Sequence, residues 1–236
     1  MVKRLCYIVL LWAVLLLTGC NFDGKYEVRD DSVYFTYWTF SFGQRNDTLP
    51  EADPATFESV KDWLGHDSKL VFFKNRIIQG ADPASIEGDK YPLSHDKGDW
   101  YFESAPLHVA DMSTFEIIDF DRDLTRLWAK DSRYVYYDST RIEVEDIKAF
   151  KVIDYSTATD GHHVYLWGER LEGADPATFE SLEGGYCKDK SHVWYLHDLV
   201  EGADVASFKI DKEGHASDKY GPIYNGKRDE QCAVSF

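Results

Sequence analysis

Ala129-Lys130-Asp131-Ser132-Arg133-Tyr134-Val135-Tyr136-Tyr137 is one copy of a recurring pattern: an aspartate, a polar turn, and an apolar triplet that begins four residues after the aspartate. The aspartates recur as Asp67, Asp96, Asp131, Asp160, Asp189 and Asp218, at spacings of 29, 35, 29, 29 and 29 residues. The triplets are Val71-Phe72-Phe73, Trp100-Tyr101-Phe102, Val135-Tyr136-Tyr137, Val164-Tyr165-Leu166, Val193-Trp194-Tyr195 and Pro222-Ile223-Tyr224. A fixed period of this length marks tandem repeats, each a unit that cannot bury its apolar face alone. β-Branched and aromatic residues suit a pleated surface, so each triplet predicts a strand. Being apolar at all three places, it is either covered on both faces or presents an aromatic outer face. The aspartate before it can bond the backbone of the turn that follows, as at a hairpin corner. A residue present in every copy is read first as part of each copy's fold.

Eleven residues after each triplet begins, a second marker follows: Ala81-Asp82-Pro83, Ala110-Asp111, Glu145-Asp146, Ala174-Asp175-Pro176 and Ala203-Asp204. Ile86, Phe115, Phe150, Phe179 and Phe208 stand four residues after these aspartates. Asp before Pro is a helix-start signal, because the carboxylate accepts from orphan amides and proline has no amide to leave unpaired. Strand-like sequence resumes after four or five residues, which predicts a single short helical turn pinned to the core by its aromatic residue. Each unit then reads as a strand, a short helical turn and a second strand leading to the next aspartate.

A less regular first copy holds Val33-Tyr34-Phe35 and Ala52-Asp53-Pro54 with Phe57, separated by nine extra residues, and Arg29 stands where the opening aspartate belongs. That insertion carries Tyr37, Trp38, Phe40 and Phe42, spaced to extend a hairpin and to serve either as a partner contact or as a cap over the end of the array. Six residues are inserted between Phe115 and Asp131, around Asp119, Asp121 and Asp123. Pro222 opens the last triplet, where it cannot donate to a ladder and suits an exposed edge. Atypical first and last copies are what capping repeats look like. The predicted fold is mainly β, with seven tandem units of about 29 residues, strand hairpins and short helical turns, in an open array. A closed propeller-like ring of the same units satisfies the period equally.

The Asp-containing turns, the Tyr-rich triplets and stretches such as Glu172-Gly173-Ala174-Asp175-Pro176-Ala177-Thr178-Phe179 resemble the DKNYY repeat family of bacteria, over residues 29 to 228. The chain departs from that pattern at Arg29, at Met112 and Val205 in place of proline, and at the two insertions. The resemblance implies the repeat architecture and assigns no activity, catalytic residue or cofactor.

Upstream, Lys3 and Arg4 precede an uninterrupted apolar run from Leu5 to Leu17, followed by Leu17-Thr18-Gly19-Cys20. The run is shorter than the ~20 apolar residues of a membrane-spanning helix and has the layout of a secretory signal. Leu17-Thr18-Gly19-Cys20 resembles the lipobox of bacterial lipoproteins, which implies cleavage before Cys20 and acylation of that residue. The expected organisation is a signal peptide at residues 1–19, a lipidated tether at 20–28, the repeat domain at 29–228 and a tail at 229–236. Asn21 after the cysteine favours the outer over the inner membrane, and the expected location is the periplasmic face of the outer membrane, with the inner membrane or the cell surface as alternatives. Loss of Lys3 and Arg4 with the leader takes the formal charge from −16 to −18 over 217 residues. Such an excess excludes nucleic acid and spreading over anionic headgroups, leaving lipid on Cys20 as the membrane contact. With Cys6 removed and Cys20 acylated, Cys187 and Cys232 remain. In an oxidising compartment they form a disulfide or stay as two inert thiols.

Constellations that carry chemistry are sparse. Asp119, Asp121 and Asp123 begin like a calcium loop, but Leu124 and Lys130 stand where that loop needs Gly and a bidentate Glu. His66, His95, His163 and His192 fall in repeated turns, whereas a zinc site needs three or four convergent ligands. No Gly-x-Ser-x-Gly, Cys-x-x-Cys or phosphate-binding Gly-rich loop occurs. No catalytic residue, metal ligand set or cofactor is therefore expected. The favoured reading is a lipid-anchored, non-catalytic repeat protein of the cell envelope that binds or scaffolds. Its partner is an envelope protein or glycan, met through Tyr37 to Phe42 or through Asp119 to Asp123. The alternative is an envelope enzyme acting on carbohydrate or peptide, which would gather Asp, Glu, His or Cys from outside the repeat register into one cleft.

Overall fold

The structure, a computed structural model, describes residues 24–121, 123 and 125–228. The leader, Cys20, Cys232 and the tail lie outside these residues. The chain divides into two compact units, Met1–Gly98 and Asp99–Phe236.

Seven modules succeed one another, one per repeat, each an open antiparallel meander and none closed into a barrel. In the second module Glu58–Lys61, Leu64–His66, Val71–Phe73 and Arg76–Ile78 pair in chain order. The fourth module repeats this with Glu116–Asp121, Arg126–Lys130, Val135–Tyr137 and Thr140–Ile142, and the fifth, sixth and seventh do the same. The third module straddles the division of the chain: Glu87–Gly88 pairs with Leu93–His95 in the first unit, and Trp100–Phe102 with Ala105–Pro106 in the second. The first module has three strands, β1 (Lys25–Arg29), β2 (Ser32–Thr39) and β3 (Gly43–Leu49).

The expected triplet strands are all present. Val71, Phe72 and Phe73 are buried, as are Val135, Tyr136 and Tyr137, so these triplets are covered on both faces. The structure adds strands that the sequence reading merged into loops. After each triplet a two-residue turn reverses the chain into a short fourth strand, and its first residue has left-handed backbone, as at Lys74 (φ 54°), Asp138 (φ 51°) and Leu196 (φ 55°). Two-residue hairpin loops of this hand match strand twist, and the return strands, two or three residues long, are too short to be read from periodicity.

The helical turn expected at the second markers is a single turn, closed in most copies by one backbone bond: Thr56 N–H donates to Asp53 O, Ser85 to Asp82, Thr178 to Asp175 and Ser207 to Asp204, all at 3.2 Å, while at Asp146 the Ala149 amide donates to the carboxylate instead, at 3.1 Å. Its apolar residue reaches the next module's triplet, as Phe57 does with Phe72 (6.0 Å between ring centres) and Phe150 with Tyr165 (6.2 Å).

Each opening aspartate is buried and holds two turns at once. Asp67 Oδ1 accepts from the amides of Lys69 and Leu70 in its own corner, both at 2.7 Å, while Oδ2 accepts from the amide of Asp53 at 2.8 Å. The same reach back to the second marker recurs from Asp96 to Asp82 (2.7 Å), Asp131 to Asp111 (3.1 Å), Asp160 to Glu145 (2.9 Å), Asp189 to Asp175 (2.9 Å) and Asp218 to Asp204 (2.8 Å). In the fourth and fifth modules the middle tyrosine of the triplet also donates to the carboxylate, Tyr136 to Asp131 at 2.7 Å and Tyr165 to Asp160 at 2.8 Å. In the last module Arg228 pairs with Asp218 at 2.7 Å. Burial pushes these carboxyls up, but the converging amides and hydroxyls outweigh it, leaving Asp67, Asp131, Asp160 and Asp189 below the usual range. Asp218 is held at about 2, where the Arg228 guanidinium and the amides of Asp204 and Tyr220 overcome its burial.

Three details differ from the sequence reading. β1 takes in the last four residues, 25–28, of the stretch expected as a tether: it pairs with β2, and the Tyr26 hydroxyl lies 3.1 Å from the Trp63 carbonyl and 3.0 Å from that of Phe72, so folded structure starts before residue 29. Pro222 does not mark an edge. Its strand, Gly221–Tyr224, pairs on both sides, and the proline sits beside the corner where the ladder begins. The acidic insertion is a longer hairpin rather than a loop, with Asp119 opposite Trp128 and Asp121 opposite Arg126.

Asp160→Asn replaces one carboxylate oxygen by an amide that faces donors, and is expected to lower stability by about 2 to 3 kcal/mol in chemical denaturation; an unchanged midpoint would remove the clamp. Because the clamp carboxyls titrate lower in the folded chain than the ~3.9 of an unfolded Asp, they contribute stability above that value. This is lost as the pH falls through the folded pKa values. The melting temperature should therefore hold from pH 7 to 5 and drop between about pH 4 and 2; a flat profile down to pH 2 would contradict it.

Candidate functional site

The nine-residue insertion lengthens the β2–β3 hairpin, which is paired from Val33↔Leu49 to Thr39↔Gly43. Strand alternation separates its aromatic residues. Val33, Phe35 and Tyr37 share the inward face, with Tyr37 stacked on Phe35 at 5.8 Å and packed against the core of the first module. Trp38 lies on the opposite face and is 56% exposed, while Phe40 and Phe42 in the loop are 86% and 72% exposed. The loop Phe40-Ser41-Phe42 is held by Thr39, whose hydroxyl donates to the Gly43 carbonyl and accepts from the Phe42 amide, both at 3.2 Å. Gly43 takes φ +66°, a conformation that costs glycine little. The Arg45 guanidinium stands 4.8 Å from the Phe42 ring centre. Beside Trp38 runs a groove of about 340 Å³ lined by Lys25, Glu27, Thr36, Gln44 and Asp62. Of the four aromatic residues singled out by sequence, the structure thus packs Tyr37, partly buried, against the core and leaves Trp38, Phe40 and Phe42 exposed on the same hairpin.

The other candidates are placed as follows. Cys187 is buried as a free thiol, while its candidate partner Cys232 lies outside the described residues, as does Cys20. Burial, with Asp154 and Asp189 nearby, pushes the Cys187 thiol up to about 12, which keeps it protonated and unreactive. It borders a cleft of about 300 Å³ lined also by Asp154, Tyr155, Trp167, Leu182 and Glu183. The turn histidines serve their own modules: His163 Nδ1 is 3.5 Å from Asp160 and 3.6 Å from Glu145, and His192 Nδ1 is 3.7 Å from Asp189. Among the described residues, Asp211, Glu213 and His215 lie close enough to share an ion, but all three are exposed. The Asp211 carboxylate accepts the amides of Glu213 (3.0 Å) and His215 (2.8 Å), which is turn chemistry that sequence alone did not single out. No helix among the described residues is long and apolar enough to cross a membrane.

These features define a tandem β-repeat protein whose recurring aspartates are structural and whose two most exposed large apolar side chains among the described residues, Phe40 and Phe42, end one lengthened hairpin. The profile of the DKNYY family matches residues 26–198, and the chain belongs to that family. No curated protein and no solved structure matches the chain.

The exposure of the loop predicts that it contributes little to folding. The double variant Phe40→Ser, Phe42→Ser should change stability by less than about 1 kcal/mol, the range of surface substitutions together with one exposed cation–π contact. Loss of several kcal/mol in chemical denaturation would instead make the loop a cap.

Proposed function

We propose that the protein is a lipid-anchored repeat module of the bacterial cell envelope that binds a partner and catalyses no reaction. The observation that carries this reading is the exposure of Trp38, Phe40 and Phe42 on one continuously paired hairpin, since exposed apolar surface marks contact sites. The recurring carboxylates, the obvious acid–base groups in so acidic a chain, are engaged in turns. Cys187, the thiol beside the cleft, is held protonated.

Anchoring is supported by Leu17-Thr18-Gly19-Cys20 at the end of a short apolar run. Acyl chains contribute about 0.8 kcal/mol per buried CH₂, so several on one cysteine hold stably. Asn21 supports the periplasmic face of the outer membrane as the location.

Metabolic labelling with a fatty-acid analogue checks the anchor. Label is expected on the wild-type protein and absent from Cys20→Ala, which should also leave the membrane fraction; equal label on both would remove the lipid anchor.

A further inference from the structure

We infer that the loop of the β2–β3 hairpin inserts into the interface of the phospholipid bilayer that carries the anchor, a second, non-covalent hold that fixes how the protein stands on the membrane. This deepens, and rests on, the lipid-anchored reading above.

Direction comes first. β1 runs antiparallel to β2 with Lys25 opposite Thr36, so the chain enters the first module at the end toward which β2 extends to its loop. From Thr36 to Phe40 the strand rises by about 14 Å. Five residue steps separate Cys20 from Lys25, and they reach at most about 17 Å. The described chain therefore begins at the end of the sheet that carries the loop, and the five steps back to Cys20 are long enough for a bilayer that holds its acyl chains to be within reach of Phe40.

Charge comes second. The chain has 42 acidic residues, yet none falls between Thr36 and Asn46, where Arg45 is the only charged residue. The repulsion that keeps so acidic a body off anionic headgroups is relaxed at the loop. Arg45, lying over the Phe42 ring, can keep its stem on apolar surface while its guanidinium meets lipid phosphate.

Side-chain type comes third. Trp38 stands back from the loop on the strand, while Phe40 and Phe42 stand at its tip. Tryptophan favours the headgroup level, and phenylalanine reaches the acyl boundary. The order along the hairpin is the order of increasing depth.

The test places an environment-sensitive nitrobenzoxadiazole fluorophore on Phe40→Cys in the full-length, acylated protein, in a Cys232→Ser background. It is reconstituted in vesicles of phosphatidylethanolamine and phosphatidylglycerol. Phe40 is exposed and Cys187 buried, so the label falls on position 40 and the fold is retained, as circular dichroism checks. The expected result is blue-shifted emission that spin-labelled lipid quenches, with neither effect for the same label on exposed Glu201→Cys. Emission at position 40 that stays aqueous overturns the inference. So does emission that turns apolar only when envelope proteins are added, since that identifies a protein partner. Acylation of Cys20, measured on the same preparation, separates the two readings. Acylation with an aqueous position 40 removes the inserted loop and keeps the anchor. Apolar emission at position 40 that persists in the unacylated Cys20→Ser variant keeps the inserted loop and removes the anchor as its requirement.

Discussion

A buried carboxylate shared between two turns is the constraint on which the rest of the chain depends. One oxygen of each opening aspartate closes the corner before its triplet, and the other closes the turn that enters its module. Burying a charge is costly unless it is fully hydrogen-bonded, and three donors converge on Asp67, four on Asp160 and five on Asp131. Asparagine would bring donors of its own against amides. Glutamate would have to fit an extra methylene into a packed corner. The geometry thus asks for Asp and fixes how far apart, along the chain, a corner and its entering turn can lie.

That constraint explains the period. From second marker to clamp the separation is 14 residues at Asp53 and Asp67, and the same at Asp175 and Asp189. At Asp111 and Asp131 it is 20, yet the bond is retained at 3.1 Å, because the inserted residues are taken up in a longer hairpin. Exposed ion pairs add a second, weaker tie. Lys97, Lys190 and Lys219, each directly after a clamp aspartate, reach Asp82, Asp175 and Asp204 at 2.7, 2.6 and 2.6 Å. Exposed pairs of this kind contribute little to stability, and the packed triplets with their pinning aromatics supply the apolar burial around the clamp.

The parts of this fold legible in the sequence are those with a period. The triplets, the opening aspartates and the second markers repeat, and each became a strand, a corner or a turn. The short return strands, such as Glu169–Arg170 and Asp198–Leu199, were not legible: two exposed residues are too few to show an alternation, and their pairing is imposed by the turn before them. β1 was hidden for a related reason, since the first module replaces the aspartate corner by a tight turn at Asp30 and Asp31, both with left-handed backbone. The clamp itself was half legible. Turn chemistry follows from Asp before a polar turn, but the bond from the second oxygen to an amide 14 residues earlier is a tertiary contact that only the packed structure creates. At the candidate site the four aromatics were visible in the sequence, whereas their division into an inward Tyr37 and an outward Trp38, Phe40 and Phe42 depends on strand register.

Repeats bound by such a clamp leave few places where sequence is free to serve anything but the fold. Positions in the corner, the triplet and the entering turn are each tied to a neighbour, and both insertions lengthen a hairpin on the far side of these elements. In the fourth module the added length is stiffened by its own ladder and by Arg126, which pairs with Asp138 at 2.7 Å. In the first module the added strand residues are equally well paired, but the loop that ends them presents Phe40 and Phe42 to solvent. Natural sequences depart from local consistency where function requires it. A paired hairpin with a stapled loop and two phenylalanines exposed at its end is such a departure, and it lies in the first of the seven modules.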